Sequence, residues 1–170
     1  MNSSNHYCIL FAGAAGSSKT PIANFLSTTL GLPVFNNDAV RSEMLEDTGS
    51  FNDEAFRRLT KQRAQDFLAK KMSFIYDASI DRRWNEAKEL LKAHDYKYFI
   101  ISLDLSEELL TKIYKAKGYT LIDNITGWKK DHDEFVKNNE NEIGLHITDA
   151  EFSKRLEISL QSVTEWLKLV

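Results

Sequence analysis

The chain has 170 residues, of which 42% are hydrophobic and 28% are charged, and its formal net charge is −3. These values are typical of one globular domain and argue against disorder and against a dedicated nucleic-acid binder. The single cysteine, Cys8, excludes an intramolecular disulfide, and no apolar run is long enough to span a bilayer. We therefore expect a cytoplasmic protein without membrane contacts, and the composition leaves its oligomeric state open.

Short apolar runs alternate with segments of helical periodicity in the first part of the chain. Tyr7–Ala12 is a continuous apolar run, as expected for a strand that is buried on both faces. A turn of small residues follows, and apolar residues then recur at helical spacing as far as Gly31. A short strand is predicted at 34–35, after which Asp38 could cap a helix that ends near Leu45.

The same alternation continues to the end of the chain. The pattern predicts helices over 53–72, 82–94 and 106–117, and strands over 73–77 and 98–103. A polar helix over about 128–139 and a weak strand over 143–147 follow, and Thr148 and Glu151 have the spacing of a capping box that opens a last helix. This order predicts a three-layer α/β/α sandwich with a parallel sheet of about five strands, in one domain over 1–170.

The turn after the first strand matches a phosphate-binding pattern. Residues 13–20 read GAAGSSKT, close to G-x-x-x-x-G-K-[ST], with Ser18 where the pattern has glycine. Lys19 is expected to reach the β and γ phosphates of ATP, and Thr20 to hold Mg²⁺ through its hydroxyl group. The residues expected to cradle the phosphates are Gly13, Ala14, Ala15, Gly16, Ser17, Ser18, Lys19 and Thr20.

Two residues depart from an ideal loop of this kind. Ser18 is expected to be strained, because the loop calls for a positive φ that glycine tolerates best. Pro21 is well accepted in a first helical turn but removes one N–H group that could meet a phosphate. We therefore predict weaker nucleotide binding than in an ideal loop, by about 1.5–3 kcal/mol for one charge-assisted hydrogen bond.

Several stretches resemble a known kinase group. They are A-G-A-A-G-S-S-K-T-P-I-A-N-F-L, L-G-L-P-V-F-N-N-D-A-V-R, F-I-Y-D-A-S-I-D-R-R and Y-F-I-I-S-L-D-L-S-E-E-L-L. They resemble the P-loop branch that includes polynucleotide kinase, zeta toxin and chloramphenicol phosphotransferase, over most of the chain up to Lys117. The resemblance implies a P-loop fold and transfer of a phosphoryl group from ATP to a hydroxyl group.

The resemblance also implies roles for three residues outside the loop. Asp38 would accept the proton of the attacking hydroxyl group, and Arg41 would hold the acceptor or the transferring group. Asp77, at the end of a predicted strand, would contribute to the Mg²⁺ site. For Asp38 and Arg41, the alternative is a helix cap and a solvated surface charge, and for Asp77 it is a turn or cap residue.

The family places arginines in a mobile lid, here expected at about 112–142. The corresponding stretch K-I-Y-K-A-K-G-Y has no arginine, and its cations are Lys112, Lys115 and Lys117. Lysine offers a point charge without the bidentate fork of a guanidinium group. This absence argues against efficient catalysis, and the lysines could equally be solvated helix charges.

The histidines of the sequence carry no recognisable pattern. Asp131 and His132 in K-K-D-H-D-E-F are more simply interpreted as a solvated acidic helix face than as a metal cluster, and His6, His94 and His146 are isolated in the sequence.

Three functions stay open at this stage. The first is an ATP-dependent kinase for a hydroxyl group of a small-molecule or nucleotide-like acceptor. The second is a degenerate protein that binds a nucleotide without chemistry. The third is a polynucleotide 5′-hydroxyl kinase, against which the acidic charge counts. Neither the acceptor nor the choice between ATP and GTP can be predicted from the sequence.

Overall fold

A five-stranded sheet forms the centre of the protein, described here over residues 6–170 in a computed structural model. Its order is β2-β3-β1-β4-β5, and all neighbouring strands are parallel. The predicted parallel sheet of five strands is therefore confirmed. The strands are β1 (Tyr7–Ala12), β2 (Val34–Asn36), β3 (Phe74–Ser79), β4 (Lys97–Asp104) and β5 (Leu145–Thr148).

Helices cover both faces of this sheet, which confirms the three predicted layers. On one face, Ile22, Leu110 and Val163 share an apolar core with β1, and on the other face Phe56 and Leu91 do so. Within residues 6–170 no helix combines the length and the apolar character needed to cross a membrane. The helices are α1 (Lys19–Leu30), α2 (Asn37–Thr48), α3 (Asp53–Ala69), α4 (Trp84–Ala93), α5 (Glu107–Ala116), α6 (Ile125–Asn139) and α7 (Arg155–Leu167).

The central position of β1 decides where a ligand can bind. From β1 the chain runs to the sheet edge at β2, returns through β3, and then crosses to β4 on the other side of β1. In parallel sheets the crevice at such a reversal lies beyond the carboxyl ends of the strands. The loop after Ala12 therefore lies between the ends of β3 and β4.

The second helix begins differently from the prediction. Its cap is Asn36, whose side-chain oxygen accepts hydrogen bonds from the backbone N–H groups of Asp38 at 2.6 Å and Ala39 at 3.4 Å. Asp38 lies in the first turn with an exposed side chain. The suggestion that Asp38 caps this helix is therefore wrong, and its carboxylate is available for other contacts.

Two later boundaries also differ. The polar helix begins at Ile125 rather than near 128, because the buried Ile125 side chain extends its packed face by one turn. Glu151 does accept the backbone N–H of Thr148 at 3.1 Å, as a capping box requires, but α7 begins only at Arg155. A short 3₁₀ turn, Phe152–Lys154, separates the two.

Candidate functional site

The loop between β1 and α1 depends on two glycines in the left-handed region. Gly13 has φ +140° and Gly16 has φ +74°. A Cβ atom on Gly16 would lie 2.3 Å from Cε2 of Tyr114, which no side chain could accept. The loop therefore passes directly under the Tyr114 ring, and only glycine fits at this point.

Ser18 also takes the backbone conformation that the sequence pattern assigns to glycine. Its φ is +84°, so the expected departure from ordinary backbone geometry is present. The Ser18 hydroxyl accepts a hydrogen bond from Nε of Arg155 at 2.8 Å, and the Arg155 guanidinium packs 4.4 Å from the Phe152 ring centroid. This contact ties the loop to the start of α7 and was not predicted from the sequence.

Lys19 lies over the loop. Its Nζ atom donates hydrogen bonds to the backbone oxygens of Gly13 at 2.9 Å and Ala14 at 2.6 Å. Burial lowers the pKa of Lys19 to about 8, although the negative charges of Asp81 and Asp77 act in the opposite direction. An incoming anion would give this buried ammonium group a charged partner in place of neutral carbonyl groups.

Thr20 and Asp77 form a pair of oxygen donors beside the loop. Asp77 ends the buried part of β3, is 7% exposed, and accepts a hydrogen bond from the Thr20 hydroxyl at 3.1 Å. Its other oxygen accepts a hydrogen bond from the side-chain amide of Asn36 at 2.8 Å. Burial raises the pKa of Asp77, and the bond from Thr20 works against that rise. Hydroxyl and carboxylate oxygens are donors that Mg²⁺ prefers, so this pair fits the predicted metal site.

A cleft of about 1230 Å³ opens in front of these residues. Every residue predicted for the site lines it, including Asp38 and Arg41. The Arg41 guanidinium lies 4.3 Å from the Phe51 ring centroid and 5.0 Å from that of Phe56. These cation–π contacts hold the exposed arginine in one place. We call the part of the cleft lined by Asp38, Arg41 and Phe56 the α2 end, and Arg83 also lines the cleft.

Of the three lysines in the stretch K-I-Y-K-A-K-G-Y, one contacts the loop. Lys117 donates a hydrogen bond to the backbone oxygen of Gly16 at 3.0 Å and lines the cleft. Lys112 and Lys115 line a separate surface depression with Glu107 and Glu108. Both expectations for these lysines are therefore met in part: Lys117 contacts the loop, whereas Lys112 and Lys115 do not.

His132 is buried beneath the loop, so its interpretation as part of a solvated helix face is wrong. Its side chain is 1% exposed, with Nε2 2.8 Å from Asp104 and Nδ1 3.3 Å from Asp81. The Asp81 carboxylate in turn accepts the Gly13 N–H at 3.1 and 3.2 Å. His146 is not isolated either, since its Nδ1 lies 2.6 Å from Asp104.

A helical pattern in the sequence does point to the burial of His132. It lies seven residues after Ile125 and three before Phe135, and both of these are buried. Residues at these spacings share one helix face. Its partners Asp81 and Asp104 belong to other elements, and no spacing in the sequence connects them to this helix.

Comparisons with known proteins agree with this architecture. No protein-family model matches the chain, and no curated protein sequence matches it. Among solved structures, a gluconokinase from Sinorhizobium meliloti superimposes with a TM-score of 0.69 at 14% identity, covering 95% of this chain and 93% of that one. The fold is that of the P-loop kinases.

Two further structures show the same likeness over nearly the whole chain. A tunicamycin resistance protein from Deinococcus radiodurans has a TM-score of 0.67 at 16% identity, covering 95% of each chain. The APS kinase of Mycobacterium tuberculosis, solved with AMPPNP and APS, has a TM-score of 0.62 at 16% identity, covering 94% of this chain and 98% of that one.

Proposed function

We propose that this protein is an ATP-dependent phosphotransferase that moves the γ-phosphoryl group to a hydroxyl group of a small-molecule acceptor. The observation that carries the proposal is one cleft that brings together the Lys19 loop, the Thr20–Asp77 oxygen pair and the exposed carboxylate of Asp38. The structures that share this fold over nearly the whole chain include a gluconokinase and an APS kinase, which supports the proposal.

At the phosphate loop, backbone N–H groups and Lys19 would bind the β and γ phosphates of ATP. The Thr20 hydroxyl and the Asp77 carboxylate would hold Mg²⁺, which supplies charge neutralisation to the phosphate oxygens when bound. Binding of phosphate would draw Lys19 away from the carbonyl groups of Gly13 and Ala14. The lid segment, about 112–142, would cover the nucleotide with Lys117 as its cation.

At the α2 end, Asp38 would accept the proton of the attacking hydroxyl group and Arg41 would position the acceptor. Among residues 6–170, neither Arg41 nor Arg83 has a carboxylate within ion-pair distance, whereas the neighbouring Arg82 is paired with Asp131. Two unpaired guanidinium groups in one cleft favour an acceptor that carries an anionic group of its own, such as a carboxylate or a phosphate.

The test is a measurement of ADP release across a panel of acceptors. The panel pairs sugar acids and hydroxylated carboxylates with their uncharged analogues, and includes nucleoside monophosphates and an oligonucleotide with a free 5′-hydroxyl group. We expect turnover with at least one anionic small molecule and none with the oligonucleotide. The turnover should be lost in Lys19→Ala and in Asp38→Asn. Release of ADP that is the same in the wild type and in Lys19→Ala would refute the assignment.

A second candidate, a nucleotide-binding protein without transfer activity, is favoured by two features of the loop. Ser18 has a positive φ, which a residue with a side chain disfavours, and Pro21 has no backbone N–H group to donate to a phosphate. Tight binding of ATP with no transfer to any acceptor, and an unchanged affinity in Asp38→Asn, would support this candidate over the kinase.

A further inference from the structure

A buried histidine connects the phosphate loop to helix α6. His132 projects from α6 between two carboxylates, with Nε2 2.8 Å from Oδ1 of Asp104 and Nδ1 3.3 Å from Oδ2 of Asp81. The first distance is a short hydrogen bond and the second is that of an ion pair. A neutral imidazole has one N–H group and could serve only one of these carboxylates, whereas the imidazolium form serves both.

The surroundings of His132 keep it charged. Burial alone would lower the pKa of His132, but the hydrogen bond to Asp104 and the nearby negative charge of Asp81 outweigh it and raise the pKa to about 9. Asp104 is itself held by bonds from His132, Ser102 and His146, which outweigh its burial and lower its pKa to about 2. We call His132, Asp104 and Asp81 the histidine cage, and at neutral pH its imidazole is an imidazolium that lies between the two carboxylates.

The charged groups around this cage come from several elements. Asp81 follows β3 and lies close enough to Lys19 for its negative charge to act on the Lys19 ammonium group. Asp104 ends β4, and behind it His146 of β5 lies 3.5 Å from Glu140. On α6 itself, Asp131 is paired with Arg82 and so faces away from the cage.

Asp81 is the link between the histidine and the loop. Both of its oxygens accept the backbone N–H of Gly13, at 3.1 and 3.2 Å, and the Gly13 carbonyl accepts from Lys19. Gly13 is thus fixed at its N–H group by Asp81 and at its carbonyl group by Lys19, and these two groups belong to the peptide units on either side of its Cα atom. Whatever orients the Asp81 carboxylate also sets the orientation of the peptide unit that joins Ala12 to Gly13.

The structure assigns His132 as a positioning residue of the phosphate loop: held by Asp104, it fixes the Asp81 carboxylate that anchors the Gly13 peptide. It touches neither a phosphate group nor the reacting atoms. Through this chain of contacts, movement of α6 changes the loop, so that the helix at the end of the lid segment and the phosphate site act together. The consequence for nucleotide affinity rests on the proposed function, but the ordering of the loop does not.

The experiment measures hydrogen exchange of the Gly13 amide by NMR in the free protein, where its exchange reports on the bond to Asp81. We expect His132→Gln to speed this exchange roughly tenfold or more, because glutamine is neutral and carries its N–H donors on a single nitrogen, so it cannot serve carboxylates on opposite sides. His146→Gln is the matched control, since it removes another partner of Asp104 that does not contact Asp81, and should leave Gly13 exchange within about twofold of wild type. Unchanged Gly13 exchange in a folded His132→Gln protein overturns the inference.

Asp81→Asn tests the same link from the other side and guards against misfolding of the histidine variant. It keeps an oxygen for the Gly13 N–H but removes the charge that faces His132, so Gly13 exchange should again rise. Imidazole ¹⁵N shifts should show both ring nitrogens of His132 protonated at pH 7.5 in the wild type, and a single protonated nitrogen there would overturn the inference. If Gly13 exchange responds as expected while the wild type binds no ADP, the positioning role stands and the proposed kinase function fails.

Discussion

The phosphate loop and the α2 end of the cleft are built in different ways. The loop uses the backbone of eight consecutive residues, shaped by Gly13 and Gly16 and held from outside by Asp81 and Arg155. The α2 end uses side chains from separate elements, with Arg41 packed against two adjacent phenylalanine rings. In the proposed function the loop would give general affinity for phosphate and the α2 end would determine which acceptor is bound, so substitutions should separate these two properties.

The largest expected effect is at the loop. Lys19→Ala should lower the rate of transfer by about a thousandfold, since it removes the cation that neutralises charge on the moving phosphoryl group. Lys117→Ala, which removes a cation at the outer side of the same loop, should cost far less. Single-turnover assays of both variants check this, and equal losses would show that the two lysines share the role.

The contribution of His132 to the stability of the fold should depend on pH. The folded pKa of His132, about 9, lies above its ordinary value of 6.5. Its contribution to the free energy of unfolding is therefore fully present below about pH 6.5 and is lost as pH rises through 9, with a size of up to about 3 kcal/mol. Urea unfolding of wild type and His132→Gln at pH 6 and at pH 9.5 measures it. The two proteins should differ most at pH 6, and a constant difference would contradict the assigned charge.

Gly16 offers a sharper test of the loop shape. Gly16→Ala places a methyl group against the Tyr114 ring and should destabilise the fold by about 2 kcal/mol while weakening ADP binding. Gly49→Ala is the matched control, because Gly49 has a similar φ of +71° and open space around it, and should cost about 1 kcal/mol. Thermal unfolding with and without ADP compares them, and equal costs would mean that Tyr114 moves aside freely.

The smallest effect is expected at the α2 end. Arg41→Ala should raise KM for the acceptor roughly tenfold and leave KM for ATP unchanged, because one charge-assisted contact to the acceptor is lost. Arg58→Ala is the control, since Arg58 is exposed on α3 and does not line the cleft. A rise in KM for ATP instead would mean that Arg41 binds the nucleotide, and it would contradict the assignment of the α2 end to the acceptor.

The features that could be predicted from the sequence are local ones. The apolar run of β1, the glycines of the loop and the Lys19–Thr20 pair follow each other directly, so one pattern contains the whole phosphate site. Asp38 and Asp77 were placed by resemblance at the ends of strands, and both line the cleft. Their roles in catalysis stay predictions.

The features that were missed join distant parts of the chain. The Asn36–Asp77 bond spans 41 residues and the contact of His132 with Asp104 spans 28. Each depends on the order of strands and on which face of a helix is packed, which no local spacing encodes. A polar residue on an apolar helix face, as at His132, is the one signal in the sequence that such a partner exists.

The bond between Ser18 and Arg155 has a consequence for the order of biosynthesis. These two residues are 137 positions apart, and α7, which begins at Arg155, packs against α1. A growing chain therefore acquires the glycines and the lysine of the loop well before the arginine that steadies them, which follows Ser18 by 137 positions. Fragments that stop at residue 150 should contain the entire phosphate motif and still retain ATP poorly.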